Sequence, residues 1–426
     1  MDLSAFNIVA IAAIAFLSLM LFLALFEPGL PYTVRRASPV SPESADFLRM
    51  IEAVSDAQLH RNTRVEVLSN GEVYYEAELS ALREARHSIN IEAYIFQRGE
   101  VAARFVQALA ERARAGVQVN IVLDAIGSFA TRKGYFRELI EAGGRVEWYH
   151  PVRWYTLPRI NNRTHREIII IDGKVGFVGG AGIADHWLTG RRKRPRWRDT
   201  MFRVDGQIVT SLQSAFAENW LEASGELLTG SDYFPFSRTD ATSCAMIVDS
   251  TPSAGRATRA RMLFQTLLAS AAKSIHITTP YFLPDHSARQ EMVRAIRERG
   301  VEIKIVTPGK QADHLLTRRS SRRLYGELLT AGAQIYEYKP SMIHTKTMVI
   351  DGIWSIVGST NFDNRSFGLN DEINLAVFDE EVAHRIEEDF ARDIGESRAV
   401  SYDEWKRRPI FERAHEWIGW ILERQQ

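Results

Sequence analysis

His165-Arg-Glu-Ile-Ile-Ile-Ile-Asp-Gly173 and His344-Thr-Lys-Thr-Met-Val-Ile-Asp-Gly352 are two versions of one nine-residue pattern, 179 residues apart. Residues two apart on a strand face the same side. His344 is therefore predicted to project beside Lys346, and His165 beside Glu167. The apolar run behind each pair reads as a buried strand, and Asp-Gly as the turn that ends it. Working outward, Val178-Gly-Gly180 is matched by Val357-Gly-Ser359. Ser88-Ile-Asn-Ile is echoed by Ser274-Ile-His-Ile, and Gly116-Val-Gln-Val by Gly300-Val-Glu-Ile. The stretch ending at Pro151 is echoed by the one ending at Pro340. The order is the same in both copies, so the repeat is collinear. Its period, about 180 residues, is too long for a solenoid unit and describes two similar α/β halves.

The 426 residues are 45% hydrophobic and 25% charged, ordinary for globular protein. That composition excludes a disordered chain, a collagen-like chain and a polytopic membrane protein. Lys+Arg and Asp+Glu both number 53, so no global basic field marks a bulk nucleic-acid binder. The single cysteine, Cys244, excludes an intrachain disulfide and a cysteine metal site.

Asn7–Phe26 carries no charge. At about 1.5 Å per residue it reaches the ~30 Å of a bilayer core. No basic residue precedes it and no small-residue cleavage site follows, so an uncleaved anchor is expected rather than a signal peptide. Arg35 and Arg36 follow the run, which places the body on the cytoplasmic side. The organisation expected is an anchor over 1–30, a proline-stiffened tether over 31–44, a first half over 45–235 and a second over 240–400. A C-terminal amphipathic helix is expected over 401–426, with Phe411, Ala414, Ile418 and Ile421 at helical spacing.

Small residues at Gly358 and Ser359, followed by Asn361, would set backbone N–H groups and an amide where an anion can sit. A single His-x-Lys pair says little, but two copies with matched sequels say much more. The arrangement resembles the phospholipase D superfamily, with its duplicated His-x-Lys-x4-Asp motif, over most of the chain after residue 45. Within it, the chain is most similar to bacterial cardiolipin synthases. Thr278-Thr-Pro-Tyr-Phe-Leu-Pro-Asp285, Trp197-Arg-Asp199 and the apolar N-terminus fit that likeness.

The resemblance implies two α/β sandwich halves packed as a pseudo-dimer behind a transmembrane helix in a bacterial inner membrane. It implies catalysis by His165, His344, Lys346, Asp172, Asp351, Asp199 and Glu372. Lys346, Asn361, Ser359, Gly180 and Glu167 fall at positions that would bind the substrate phosphate. His165 would be the nucleophile, oriented by Glu372, and His344 the general acid, oriented by Asp199. No metal or other cofactor is required. The expected partners are the membrane and anionic phospholipids, phosphatidylglycerol and cardiolipin, rather than nucleic acid.

The first copy departs from the family pattern. Glu167 stands at the lysine position, and Gly182 at the position of the asparagine. Two unit charges ~5 Å apart at an effective dielectric near 20 interact by about 3 kcal/mol. A carboxylate in a phosphate site therefore needs protonation or a cation, for which Arg163 and Arg198 are the candidates. Three readings stay open: phosphatidyl transfer, hydrolysis by a phospholipase or nuclease, and a weakened site kept as a lipid-binding scaffold.

Other features are weighed outside the motif. Six cations lie between Arg191 and Arg198, and Trp187 and Trp197 flank them, as a headgroup-binding patch would. Arg318, Arg319, Arg322 and Arg323 form a second basic cluster. Tyr94 and Asp124 end strands and are placed at the cleft. His150, His186, His276 and His314 are read as ordinary polar residues.

Overall fold

A computed structural model describes residues 4–26, 32–35, 40–154, 156, 159–190, 195–253, 257–409 and 412–413. Fifteen strands among them hydrogen-bond in a single order. From one edge these are Arg145–Tyr149, Gln118–Asp124, Ser88–Ala93, Ile168–Ile171, Val175–Gly179, Thr200–Asp205 and His60–Ser69. The order then continues as Ser243–Ser250, Glu372–Phe378, Trp354–Gly358, Thr347–Ile350, Ser274–Thr278, Glu302–Pro308, Gln334–Tyr338 and Ser397–Val400. The second series mirrors the first, with Ser397–Val400 added at its edge. The fold is thus the expected α/β duplication, and the two series meet where His60–Ser69 pairs with Ser243–Ser250.

The apolar runs behind the motif histidines show why the halves fold and pack this way. All four isoleucines of Ile168–Ile171 are buried. Ile168 and Ile170 enter a core shared with Val349, Val357 and Ile373 of the second half. Ile169 and Ile171 turn to the opposite core, beneath the helices Gly71–Glu84 and Glu100–Arg114. Met348 and Ile350 face the second half's own core while Val349 faces the shared one. Two-sided burial is what a continuous apolar strand requires.

Asp172-Gly173 and Asp351-Gly352 open the three-residue turns after these strands, all four with positive φ (52° and 60°, 56° and 71°). This places both aspartates away from the histidines, at the far ends of the strands. The Asp172 carboxylate accepts the backbone N–H groups of Arg86, His87 and Ser88. Asp351 does the same for Ala272, Lys273 and Ser274. The expectation that these two aspartates are catalytic is corrected: they staple the hairpin to the start of the neighbouring strand.

The boundary at residue 45 is also corrected. The helix Ala45–Ser55 buries Phe47, Leu48 and Ile51 in the second half's core, and Trp354 Nε1 donates to the Pro42 carbonyl. Tyr32 docks on the second half too. Its N–H donates to Ser287, its hydroxyl to Asp285, and Arg261 lies over its ring.

The helix Ala5–Phe26 leads the chain, with side chains described for Ala5–Met20 and Phe22. Among the described residues no helix is long and apolar enough to cross a membrane. At the other end, Tyr402–Lys406 is helical, and Trp405 packs against Gly326. The remainder of the expected C-terminal helix, at 410–411 and 414–426, lies outside the described residues, as does the basic stretch 191–194.

Candidate active site

The motif residues sit in extended segments just ahead of their strands rather than within them. Each segment bridges to the opposite half. Thr164 pairs with Asp371, and Arg198 with Ile343. The His165 N–H donates to the Asp371 carbonyl at 2.9 Å, and the His344 N–H to the Arg198 carbonyl at 2.7 Å. Backbone pairing therefore lays each histidine beside a carboxylate from the other half. His165 Nδ1 lies 3.0 Å from Glu372 Oε2, and His344 Nδ1 lies 2.8 Å from Asp199 Oδ2.

Both carboxylates are themselves held. Ser359 Oγ and Asn370 Nδ2 donate to Glu372. Trp187 Nε1 and the Thr200 N–H donate to Asp199. Burial alone would raise both carboxyls. For Glu372, the His165 charge and its hydrogen bonds outweigh burial and hold it below the usual range. For Asp199, His344 and Lys346 do so. Ser359, expected on the substrate phosphate, instead spends its hydroxyl on Glu372.

Lys346 Nζ lies 3.1 Å from the His344 carbonyl and 3.1 Å from its Nε2. Burial lowers the Lys346 ammonium, against the pull of Asp199, Glu372 and Glu167. These three carboxyl groups come from both halves, so Lys346 is where the two half-sites meet. Burial, then Lys346, lowers His344 against the opposing pull of Asp199. A Cβ on Gly180 would stand 3.0 Å from Lys346 Nζ, so the glycine admits the ammonium and does not itself provide a phosphate side chain. Asn361 is buried, and its side-chain oxygen has no hydrogen-bond partner, which leaves the amide available to a ligand.

Strand pairing makes the half-sites comparable residue by residue. Glu92 pairs with Ile168 as Thr278 pairs with Thr347, so Tyr94 corresponds to Pro280 and Ile95 to Tyr281. The bridges Phe96–Ile183 and Phe282–Phe362 align Gly182 with Asn361. At the first half's strand end, the Tyr94 and Ile95 N–H groups both donate to Glu167 Oε1 at 3.2 Å. Pro280 has no N–H, so the second half presents one donor fewer where Lys346 stands. A Cβ at residue 182 would meet Glu167 Oε1 at 3.0 Å and the Ile95 carbonyl at 2.5 Å. Glu167 and Gly182 are therefore one coupled change.

Among the described residues Arg163 and Arg198, the cations expected to offset Glu167, are paired elsewhere, which leaves the other expected route, protonation. Arg163 faces Asp124 and the His150 carbonyl. Arg198 pairs with Asp389 and Asp393. Arg166 reaches Glu218 and the Ala215 carbonyl. Burial instead pushes the Glu167 carboxyl well above its usual range, against the opposing effects of the Ile95 N–H and Lys346. That shift favours the neutral acid, which eases the charge conflict that the sequence posed.

The walls hold further corrections. Trp187 is fully buried, and Trp197 tilts over His344 with ring centroids 5.4 Å apart. These tryptophans line the site instead of a membrane surface. In the basic run, Arg196 pairs with Glu72 and Arg198 is buried. Arg318 and Arg322 converge on Glu337. Asp124 caps its own loop through the Ile126 and Gly127 N–H groups. Tyr94 does reach the site, 5.3 Å from His165 ring to ring. Two neighbours escaped the sequence reading: His186, lowered to about 4 mainly by burial, and Tyr281, whose hydroxyl donates to Asp313. In the sequence His186 lacks the motif context and reads as an ordinary polar residue, and Tyr281 enters only within the Thr278–Asp285 stretch, with no role of its own. Among the described residues no group of acidic, histidine or cysteine side chains converges as a metal site would.

Two like α/β halves, each carrying a copy of the histidine motif, define a class, the phospholipase D superfamily. The family model described as cardiolipin synthase, PLD-like domain, matches residues 79–220 and 264–394. Cardiolipin synthase 1 of Bacillus anthracis is 33% identical over 387 residues, covering 88% of this chain and 75% of its own. The major cardiolipin synthase of Bacillus subtilis is 33% identical over 383 residues, covering 89% and 79%. The phosphatidylserine synthase structure from Haemophilus influenzae superposes with a TM-score of 0.68 at 13% identity, over 89% of this chain and 99% of that one. That last likeness is one of fold. The chain belongs to the phospholipase D-like cardiolipin synthase family and is an enzyme of the phosphatidyltransferase type.

Proposed function

We propose that the protein transfers a phosphatidyl group between phosphatidylglycerol molecules, making cardiolipin through a phosphatidyl-histidine. The crossed histidine–carboxylate pairs carry this reading. Each Nδ1 faces a carboxylate, so chemistry falls to the opposite ring nitrogen, Nε2, which in His344 also lies 3.1 Å from Lys346 Nζ. His165 Nε2 bonds to phosphorus while the phosphorus–oxygen bond to glycerol breaks, and His344 gives its proton to the departing oxygen. The acceptor hydroxyl then gives its proton to His344 as its oxygen bonds phosphorus and the phosphorus–nitrogen bond breaks. His165 is assigned as nucleophile by family likeness. Burial lowers His344, but a bound phosphodiester anion beside it favours the imidazolium needed for the first step. Lys346 and Asn361 stabilise the phosphoryl oxygens.

The uncharged run Asn7–Phe26, read from the sequence, would serve as the anchor. Phe6, Ile8, Val9, Phe16 and Leu17 are exposed in this part of the chain. Arg35 and Arg36 favour a cytoplasmic body. Two loops at the C-terminal ends of first-half strands expose Ile126 and Phe129, and Val152 and Trp154. The Glu92–Ile168 pairing puts the His165 segment at that same end of the sheet, so a bilayer would meet the site there.

The test is incubation of the purified full chain with phosphatidylglycerol in detergent, followed by lipid analysis. Cardiolipin is the expected product. Phosphatidic acid alone would replace transfer with hydrolysis, and unchanged lipid would reject the enzymatic reading.

A further inference from the structure

Within the transfer reaction proposed above, on which this inference rests, the first half-site does something other than hold phosphate. Its lysine and asparagine positions are both vacated, by Glu167 and Gly182, while the second half keeps Lys346 and Asn361. The replacement is built into the fold. Glu167 is 5% exposed, and Oε1 is fixed by two backbone donors. Gly182 leaves the space the carboxyl needs. The second carboxyl oxygen, Oε2, takes no hydrogen bond from a described residue and is not closed off from solvent, so a ligand in the cleft can reach it.

The position of this oxygen suggests the ligand. By the strand register that aligns the half-sites, Glu167 stands where Lys346 stands in the second half, two residues after its own histidine. It therefore faces the cleft in which the phosphodiester and its headgroup alcohol would lie. In phosphatidylglycerol the reacting oxygen belongs to a glycerol whose neighbouring carbon bears another hydroxyl. We propose that Glu167 Oε2 hydrogen-bonds this second hydroxyl, so that the first half-site is a subsite for vicinal-diol headgroups and selects a glycerol alcohol over water or a simple alcohol. A carboxylic acid suits the task because it donates through its own proton or accepts through its oxygen. A lysine would instead compete for the phosphate. No proton passes through Glu167 in this scheme, and the transferred proton stays with His344.

The test uses the full-length chain with phosphatidylglycerol as donor and a competing mixture of 1,2-propanediol, 1-propanol and water. The readouts are product ratios, which do not depend on total rate. The unaltered protein should favour the diol product over the propanol product. Glu167→Leu should lower that preference about tenfold, the scale of one lost hydrogen bond, and raise the phosphatidic acid share. Glu167→Gln should retain most of the preference, because an amide still serves the two backbone donors and the hydroxyl. If Glu167→Leu leaves the diol-to-propanol ratio unchanged, the subsite does not exist. If Glu167→Leu and Glu167→Gln lose the preference equally, a packing role replaces the proposed one. Failure of the unaltered protein to cleave phosphatidylglycerol at all would sink the transfer reading itself. Cleavage without a diol preference would sink only the subsite.

Discussion

Glu372 Oε2 lies 3.0 Å from His165 Nδ1, although the two residues belong to different halves of the chain. The reciprocal pair, Asp199 with His344, crosses in the other direction. Neither half can therefore form a working histidine by itself. The crossing is enforced by backbone, through His165 to Asp371 and His344 to Arg198, so it does not depend on the carboxylates being ionised.

Neutralising either carboxylate should cost activity without loss of fold. Glu372→Gln and Asp199→Asn keep the side-chain size, but each can turn a donor towards Nδ1 and fix the wrong tautomer. Turnover should fall by about 10²–10⁴-fold in each, the scale of the analogous change in serine protease triads. Initial rates with phosphatidylglycerol, beside a circular dichroism spectrum matching the unaltered protein, would check this. Less than a threefold loss in both would show that these carboxylates do not orient the histidines.

His165→Ala and His344→Ala should each lower turnover by about 10³-fold or more. The double variant should be little worse than either single one, because groups that act as a unit are strongly non-additive. Acid-quenched protein incubated with labelled lipid should carry the label on His165. Label recovered on His344 would reverse the two roles.

The repeat made the duplication and the strands behind the motifs readable in the sequence, and the family resemblance pointed to the carboxylate partners of both histidines. Its limits have physical causes. Asp172 and Asp351 look catalytic because they recur beside the histidines, but an aspartate in a tight turn is equally constrained by backbone donors. Trp187 and Trp197 looked interfacial beside a basic run, yet Trp187 is consumed by a hydrogen bond to Asp199 that only the tertiary fold creates. Helix Ala45–Ser55 precedes the first half in sequence and packs on the second, because sequence order does not say which core takes an amphipathic face. At Glu167 the charge conflict was visible, but the burial that raises its carboxyl exists only in the folded chain.

Restoring the family residue at position 167 should fail. Glu167→Lys would set an ammonium against two backbone donors and close to Lys346, in a buried site whose existing ammonium is already lowered by desolvation. Activity should drop about tenfold or more, and adding Gly182→Asn should not rescue it, since that side chain meets the Ile95 carbonyl. A clear gain in cardiolipin formation by Glu167→Lys would mean that the first half-site has merely decayed.

The protonation of Glu167 predicts a pH-dependent stability difference. Burial holds its carboxyl well above the ordinary value, which is about 4.3 in an unfolded chain. Between those two values the folded protein keeps a proton that the unfolded chain has released. Stability rises with pH only where the unfolded state binds more protons. Here it binds fewer, so this residue's contribution declines as pH climbs from about 4.3 towards its folded value. Glutamine has no such proton, and its oxygen still accepts from Tyr94 and Ile95. The melting temperature of Glu167→Gln should therefore nearly match the unaltered protein at about pH 4.5 and exceed it increasingly towards pH 8. Thermal melts of both proteins in one detergent across that range isolate the effect, because the other titrating groups are common to both. A difference that stays flat with pH, or one that favours the unaltered protein as pH rises, would show that Glu167 is ionised in the folded state.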